Sequence, residues 1–168
     1  MAWFSARTIS ASTVPVSSDQ IWEVLTDPTT LAELTPLVRS IEASGSQWLW
    51  TLNGVEALGI KIEAAFTESM HFTDRRQIVF NHDPPPGRKE HAAVDGIYDL
   101  APAGPKATDL RIDLTLAVDL PLPRLSRRAV ERAVLSTMRV TGRQFASNLY
   151  ERLGLDPATA EIAELSLP

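Results

Sequence analysis

Hydrophobic and polar residues alternate with a period of two through much of the chain, which is the pattern of β-strands that bury one face. The clearest alternation covers residues 108–120, where leucine, isoleucine and valine alternate with aspartate, arginine and threonine. One apolar and one polar face are typical of a strand in an antiparallel sheet. The same period predicts six further strands, at residues 5–14, 38–43, 47–53, 58–67, 77–82 and 91–100.

The first of these strands has weak hydrophobic character on both sides. Thr8, Ser10 and Ser12 share one side, and small residues occupy much of the other. This composition predicts an edge strand, or a strand that lines something other than a dense core.

Two short helices follow the first strand. The first is predicted for residues 19–27, where either Ser17 or Ser18 can act as the N-cap. The second is predicted for residues 28–35 and begins with a proline, which is favoured at the first position of a helix.

A long helix is predicted near the C-terminus, over residues 123–153. Ser126 is the expected N-cap, and Gly154 follows the last turn as a helix-ending glycine does. Small or apolar residues recur every three or four positions, at Val130, Val134, Met138, Thr141, Phe145, Leu149 and Leu153. This spacing produces one apolar stripe that needs a broad apolar surface as its partner.

The order of the elements predicts an α+β fold with an antiparallel sheet. Short hairpin connections favour a curved sheet of about seven strands, and the long helix would fill its concave face. The segment 83–91 contains three consecutive prolines, so we interpret it as a loop, and residues 84–89 as a rim that could gate a pocket. We interpret residues 1–155 as one domain and residues 156–168 as a C-terminal tail.

The composition narrows the range of functions without identifying one. The 168 residues are 44% hydrophobic and 22% charged, as in an ordinary folded domain. A net charge of −5 argues against a nucleic-acid partner, and the absence of cysteine excludes disulfides, thiol nucleophiles and thiolate metal sites. Neither a signal peptide nor a membrane-spanning stretch is visible in the sequence, so we expect a cytoplasmic protein without stable membrane insertion.

Two stretches resemble a known superfamily. The first runs from the end of a strand through a proline, a short helix, an aspartate and a second short helix closed by proline; its matching residues are Val14, Pro15, Val16, Ile21, Trp22, Leu25, Asp27 and Pro36. The second is a later strand pair, which matches at Gly96, Tyr98, Leu100, Pro102 and Thr108. Together with the long helix, roughly residues 5–153 resemble the helix-grip fold of the START-like, Bet v 1-like superfamily, often labelled SRPBCC. The polyketide cyclase/dehydrase and lipid-transport branch is the most similar.

This resemblance implies a sheet that wraps around the long helix and leaves a chamber for a hydrophobic molecule. It indicates the fold more specifically than the function, since the superfamily includes lipid carriers, hormone receptors, cyclases, oxygenase subunits and stress regulators. The oxygenases can be set aside, because the sequence shows no spacing typical of two histidines and one carboxylate around iron. We expect neither a metal nor a cofactor.

Candidate ligand-binding residues lie on the sides of the strands and of the long helix that would face this chamber. They are Trp48, Trp50, Phe66, Phe80, His82, Tyr98, Met138, Thr141, Phe145 and Asn148. For the two tryptophans and the helix stripe, ordinary core packing is the alternative interpretation.

Two of these residues are also candidates for catalysis. His82 shares a strand face with Ile78 and Phe80, where a histidine could act as general acid or base. Tyr98 could donate a hydrogen bond to a ligand carbonyl or enolate. The simpler interpretations are a strand-end histidine without a chemical role and a tyrosine that only lines the wall. The other polar strand residues are expected in solvent, namely Glu63, His71, His91 and Asp95.

Three hypotheses for function remain open at this level. The first is binding of a hydrophobic small molecule such as a lipid, an isoprenoid or a polyketide-like compound. The second, suggested by the resemblance alone, is a polyketide aromatase/cyclase or dehydratase acting in the same chamber. The third is an adaptor that presents the arginine-rich face of the long helix to a membrane or an acidic partner, although a solvated face is the simpler interpretation. A homodimer is left open.

Overall fold

The computed structural model describes residues 2–57, 60–62 and 64–167. The strands are β1 (Ala2–Val14), β2 (Val38–Ser44), β3 (Gln47–Leu52), β4 (Val55–Ala57), β5 (Ile60–Ile62), β6 (Ala65–Thr73), β7 (Gln77–His82), β8 (Ala92–Pro102), β9 (Thr108–Leu120) and β10 (Ala163–Glu164). The helices are α1 (Ser18–Thr26), α2 (Pro28–Leu34) and α3 (Arg127–Arg152), with 3₁₀ turns at Arg124–Ser126 and Pro157–Thr159.

One antiparallel sheet contains eight of the strands, in the order β10-β1-β9-β8-β7-β6-β3-β2. β1 and β9 pair along their whole length, from Ala2 opposite Leu120 to Val14 opposite Thr108. The α+β fold predicted from the sequence is confirmed, including the two short helices after the first strand and the long C-terminal helix. The sheet exceeds the expected seven strands because the two-residue β10 adds to the outer side of β1.

The segment before β6 differs from the single strand that the sequence predicts over residues 58–67. β5 pairs with β4 in a separate two-stranded sheet, and a hydrogen bond from Leu52 N to Ala64 O (2.9 Å) closes this excursion. β6 then begins at Ala65 and continues to Thr73, beyond the predicted end. Strands this close in sequence pair locally at a small loop-closure cost, so the segment folds on itself before it joins the main sheet. Residues 58, 59 and 63 lie outside the described residues.

α3 packs its predicted stripe against the inner face of the sheet. Its buried residues are Val130, Met138, Phe145, Leu149 and Tyr150. At its C-terminus Gly154 adopts a φ of 74°, and Leu155 N donates to Tyr150 O (2.8 Å), as in a Schellman motif. At its N-terminus the chain enters through a 3₁₀ turn, and the side chain of Ser126 makes no capping hydrogen bond. Ser126 is therefore the N-cap residue of α3, as predicted, but its side chain does not cap the helix.

The hydrophobic core has two parts. The larger part lies between the sheet, α1, α2 and the C-terminal half of α3, and it includes Ile21, Leu25 and Leu149. The smaller part joins Phe4, Leu120 and Val130 where β1 and β9 meet the start of α3. Within the described residues, no helix has the length and hydrophobicity that crossing a membrane requires.

The C-terminal residues lie along β1 and against α3. Ala163 and Glu164 pair with Ala11 and Ser10 of β1. Arg139 Nε of α3 contacts Glu164 Oε2 at 2.9 Å. The segment beyond residue 155 therefore extends the sheet and contacts the helix.

Candidate functional site

A cavity of about 230 Å³ lies between the inner face of the sheet and α3. Its volume far exceeds the space that one buried water needs, and it approaches the roughly 300–1,000 Å³ of small-molecule pockets. Alternate residues of β8 and β9 form one wall, among them Val94, Leu110, Ile112 and Leu114. The wall is mostly apolar because these strands present their hydrophobic faces inward and their charged faces to solvent.

α3 and the C-terminal segment close the cavity on the other side. Met138 and Phe145 are buried in its wall, and Thr141 adds a hydroxyl between them. Ile162, which directly precedes β10, also lines the cavity. The C-terminal segment therefore forms part of the cavity wall beside α3.

β1 gives this cavity its more polar wall. Thr8, Ser10 and Ser12 all line the cavity. The sequence predicts that this weakly apolar strand is an edge strand or faces something other than a dense core. The structure shows that this strand faces a cavity, and among the described residues its outer side is paired only at Ser10 and Ala11, where β10 adds to it.

Most of the ligand-binding candidates inferred from the sequence line this cavity; they are Trp50, Phe66, Phe80, Tyr98, Met138, Thr141 and Phe145. Trp50 and Phe66 are stacked with ring centroids 5.9 Å apart. Phe80 and Tyr98 meet edge to face at 5.0 Å. These two aromatic pairs hold the rings of the wall in fixed orientations.

Two other candidates pack elsewhere. Trp48 is buried with its ring 5.8 Å from Phe72, which in turn contacts Trp22 of α1 at 6.2 Å. Asn148 donates from Nδ2 to Leu34 O at 3.0 Å, so its amide ties α3 to the end of α2. Core packing, the alternative interpretation for Trp48, describes its environment, and Asn148 has a structural partner instead of a place in the cavity wall.

His82 is the third candidate that lies outside the cavity wall. It has the inner-face parity that the sequence indicates, but its Nε2 contacts Glu90 Oε2 at 2.9 Å. Glu90 is buried and also accepts hydrogen bonds from Thr67 N and Thr67 Oγ1, both at 2.8 Å, while Arg88 Nε lies 3.2 Å away. This cluster fastens the proline-rich loop 83–91 to β6, so His82 and Glu90 have a structural role.

The remaining polar strand residues take positions at or near the surface. His71 is exposed and lies 3.4 Å from Ser69 Oγ, and Asp95 is exposed and accepts a hydrogen bond from His82 N. His91 is half-buried beside Asp119, with 3.3 Å between Nδ1 and Oδ2. The predicted position of Glu63 in solvent falls outside the described residues.

Glu68 of β6 is a cavity residue that the sequence-based candidates omit. Its side chain is almost completely buried in the inner wall between Phe66 and Met70, and its Oε2 atom has no hydrogen-bond partner in the part of the chain that the structure describes. Burial raises the pKa of the Glu68 carboxyl well above its ordinary value of 4.5. The Trp50 indole lies close enough to oppose this rise in pKa, and the charge of Asp95 adds to it. Trp50 Nε1 and Glu68 Oε2 nevertheless do not meet in a hydrogen bond of good geometry, since neither atom has a partner among the described residues.

Tyr98 of β8 lines the same cavity. Its ring is surrounded by protein, and the part of its surface that remains accessible lines the cavity. Burial raises the pKa of the Tyr98 phenol, and the nearby carboxyl of Glu68 raises it further. Tyr98 therefore remains a neutral hydroxyl at any physiological pH.

The parity of β6 could have revealed Glu68 in the sequence. Phe66, Glu68 and Met70 alternate on one face, so a strand extended to residue 70 places a carboxyl among apolar side chains. The predicted strand ends at residue 67, which leaves Glu68 in a connection. An ionisable residue on the apolar face of a strand is the signal, because a buried carboxyl is rare unless it has a partner or a function.

Comparison with known proteins identifies the fold. Neither a protein-family model nor a curated protein matches the sequence. Among solved structures 194 chains match. One is a conserved protein from Geobacillus kaustophilus, with 13% sequence identity and a TM-score of 0.68, for which the alignment covers 94% of this chain and 99% of that one.

Two further matches carry descriptive names. A START superfamily protein from Mycobacterium smegmatis is 19% identical with a TM-score of 0.62, and the alignment covers 89% of this chain and 98% of that one. The Zhui aromatase/cyclase from Streptomyces sp. R1128 is 16% identical with a TM-score of 0.63, with coverage of 89% and 96%. The resemblance to START-like proteins is thus confirmed at the level of the fold.

Proposed function

We propose that this START-like domain binds a hydrophobic small molecule, such as a lipid, an isoprenoid or a polyketide-like compound, in the cavity between the sheet and α3. The observation that carries the proposal is the cavity itself, whose wall is mostly apolar and carries a few polar groups. Small-molecule sites have this composition, since the apolar surface supplies affinity and the polar groups supply orientation.

The elements around the cavity support this proposal over a domain with a filled core. Thr8, Ser10 and Ser12 give β1 short side chains, which leave space where larger residues would close the gap between β1 and α3. Stacked and edge-to-face aromatic pairs support the opposite wall and keep it from collapsing into that space. The matched START superfamily protein and aromatase/cyclase have the same overall fold.

A substitution that fills the cavity tests the proposal. Thr141→Phe places a phenyl ring in the cavity wall, and we expect it to weaken binding of the neutral fluorescent probe N-phenyl-1-naphthylamine by roughly tenfold or more, in line with the cost of overpacking. The measurement is a fluorescence titration of the purified protein with this probe.

Val140→Phe is the matched control, because Val140 is the neighbouring residue of α3 and is 57% exposed. It adds a similar bulk outside the cavity and should leave the affinity unchanged. Equal binding by the wild type and both variants would contradict the proposal, as would an equal loss in both variants that retain wild-type circular dichroism.

A polyketide aromatase/cyclase or dehydratase is the second candidate function. Tyr98, one of the two catalytic candidates, lines the cavity beside Glu68, and a neutral acid and a phenol are the groups that could protonate a ketone oxygen. His82, the other catalytic candidate, is engaged with Glu90. Conversion of a poly-β-ketone surrogate by the purified protein would distinguish this activity from binding alone.

A further inference from the structure

Three polar groups on the inner wall of the cavity lack partners among the described residues. Glu68 Oε2 and Trp50 Nε1 are buried without a hydrogen bond. Tyr98 lines the same cavity, and no hydrogen bond joins its hydroxyl to another described side chain or backbone group. A buried polar atom without a partner destabilises the folded chain, so two such atoms near a third polar residue in one cavity wall indicate that something else satisfies them.

The register of the sheet brings these groups together. Trp50 of β3 lies opposite Phe66 of β6, and Glu68 is two residues further along β6 on the same face. Trp50 and Glu68 are therefore diagonal neighbours on adjacent strands. Tyr98 lies on β8, which is separated from β6 by β7. The Phe80 ring of β7 contacts the Tyr98 ring, with 5.0 Å between the ring centroids. The influence of the Glu68 carboxyl on the pKa of Tyr98 is a further sign that the two groups are near each other.

The chemistry of the three groups favours one kind of ligand atom. An indole N–H can only donate a hydrogen bond, and a protonated carboxyl and a phenol can each donate one as well. A carbonyl oxygen accepts two such bonds through its lone pairs. A carboxylate ligand would bring an unpaired negative charge into an apolar space, and a cation would face the donor end of Trp50.

We propose that Glu68, Trp50 and Tyr98 form a polar anchor for the uncharged carbonyl oxygen of an otherwise apolar ligand. This inference rests on the proposed function and specifies its ligand class. Glu68 is then a residue that determines specificity, because its carboxyl is the most deeply buried of the three groups and has a free oxygen in the wall.

Two rigid probes that differ at a single position test the anchor. The ketone 9-fluorenone and the hydrocarbon fluorene have nearly the same shape, and only the ketone has an acceptor oxygen. Their affinities are measured by displacement of N-phenyl-1-naphthylamine from the full-length protein. We expect the wild type to prefer the ketone by about fivefold to tenfold, as one or two net hydrogen bonds provide.

Variants at Glu68 assign this preference to the carboxyl. Glu68→Leu should bind fluorene at least as well as the wild type and should lose most of the preference for the ketone. Glu68→Gln keeps an N–H donor and should retain part of it. Ser69→Ala is the control, because Ser69 is the next residue of β6 and its hydroxyl lies near His71, an exposed residue. If a Glu68 variant fails to fold, Tyr98→Phe provides the same comparison by removing one donor hydroxyl.

The outcomes separate this inference from the proposed function. Equal affinity of the wild type for fluorene and 9-fluorenone would overturn the anchor while leaving hydrophobic binding intact. Preference for the cation of 9-aminofluorene would also overturn it, since that result requires an ionised Glu68. Failure of every probe to bind would overturn the proposed function and the anchor together.

Discussion

Glu68 and Glu90 are both deeply buried carboxyls, and their surroundings give them opposite roles. Glu90 accepts two hydrogen bonds from Thr67 and contacts His82 and Arg88, so its charge is balanced and it holds a loop in place. Glu68 has an oxygen in an apolar wall that no described residue meets with a hydrogen bond. An unsatisfied buried polar group costs about 1–3 kcal/mol of stability, which a domain tolerates most readily at a functional site.

The raised pKa of Glu68 predicts a pH-dependent loss of stability. The unfolded chain releases this proton near the ordinary carboxyl pKa of 4.5, whereas the folded chain retains it to a higher pH. The folded state therefore binds more protons than the unfolded state above pH 4.5, and the free energy of unfolding falls as the pH rises. Glu68→Gln cannot ionise, so its free energy of unfolding relative to that of the wild type should increase from pH 4 to pH 8.

Urea denaturation of the wild type and Glu68→Gln at several pH values measures this difference. Taking the difference between the two proteins removes the contribution of the other titrating groups. A difference that stays constant between pH 4 and pH 8 would show that Glu68 has an ordinary pKa in the folded protein.

At the scale of elements, the packing of β8 against its neighbours depends on one glycine. Because this residue has no side chain, it leaves room for the ring of a residue that lines the cavity. Phe80 of β7 lies opposite Gly96, and a Cβ atom at Gly96 would stand 2.6 Å from Phe80 Cζ and 2.5 Å from Asp113 O. The ring can move, but the backbone carbonyl of β9 cannot. Gly96 therefore sets the position of the Phe80 ring, which in turn contacts Tyr98 in the cavity wall.

Gly96→Ala should destabilise the protein by about 2 kcal/mol or more, because the added methyl forces β8 and β9 apart. Gly142→Ala is the matched comparison. A Cβ atom at Gly142 meets no atom within 4 Å, and alanine is the better helix former, so this variant should gain about 1 kcal/mol. Thermal and urea unfolding of both variants measure these changes. Equal effects of the two substitutions would contradict the tight contact at Gly96.

α3 shows what the spacing of apolar residues predicts and what it does not. Its stripe is apparent in the sequence, and Val130, Met138, Phe145 and Leu149 are buried as the spacing predicts. The same spacing cannot distinguish residues that fill a core from residues that line a cavity. Asn148 illustrates the limit, because its amide bonds to Leu34 O, a partner more than a hundred residues away in the sequence.

At the scale of the whole molecule, the C-terminal segment connects the sheet, the helix and the cavity. Beyond residue 155, the position where we place the end of the domain, β10 pairs with β1 and Glu164 contacts Arg139. Ile162 lines the cavity between these contacts. We propose that this segment acts as a cover that limits exchange of the hydrophobic molecule proposed to bind in the cavity.

Ending the chain after residue 160 should remove this cover. The free energy of unfolding should fall by no more than about 2 kcal/mol, since the lost contacts are a few hydrogen bonds and an exposed ion pair. Dissociation of N-phenyl-1-naphthylamine, followed by stopped-flow fluorescence, should become several times faster. Glu164→Gln weakens only the ion pair and should leave the dissociation rate near that of the wild type. An unchanged rate in the truncated protein would show that ligands leave by another route.

The sequence by itself determined the fold class. Alternation along a strand and three-to-four-residue spacing along a helix show locally which face of each element is buried. It also indicated most of the cavity-lining aromatic residues, since parity along a strand decides which face a side chain occupies. Trp48 and His82 share that inner parity, yet neither lines the cavity.

Only the tertiary structure decided which inward-facing residues line the cavity and which polar groups find partners. The carboxylate oxygens of Glu90 accept hydrogen bonds or ion pairs from β6, β7 and the proline-rich loop. Glu68 has apolar neighbours instead, and among the described residues its Oε2 makes no hydrogen bond with the nearby indole. Hydrogen-bond satisfaction and burial depend on contacts between residues far apart in the chain. A local pattern therefore predicts the face that a residue occupies, and the packing of the other elements determines what meets it there.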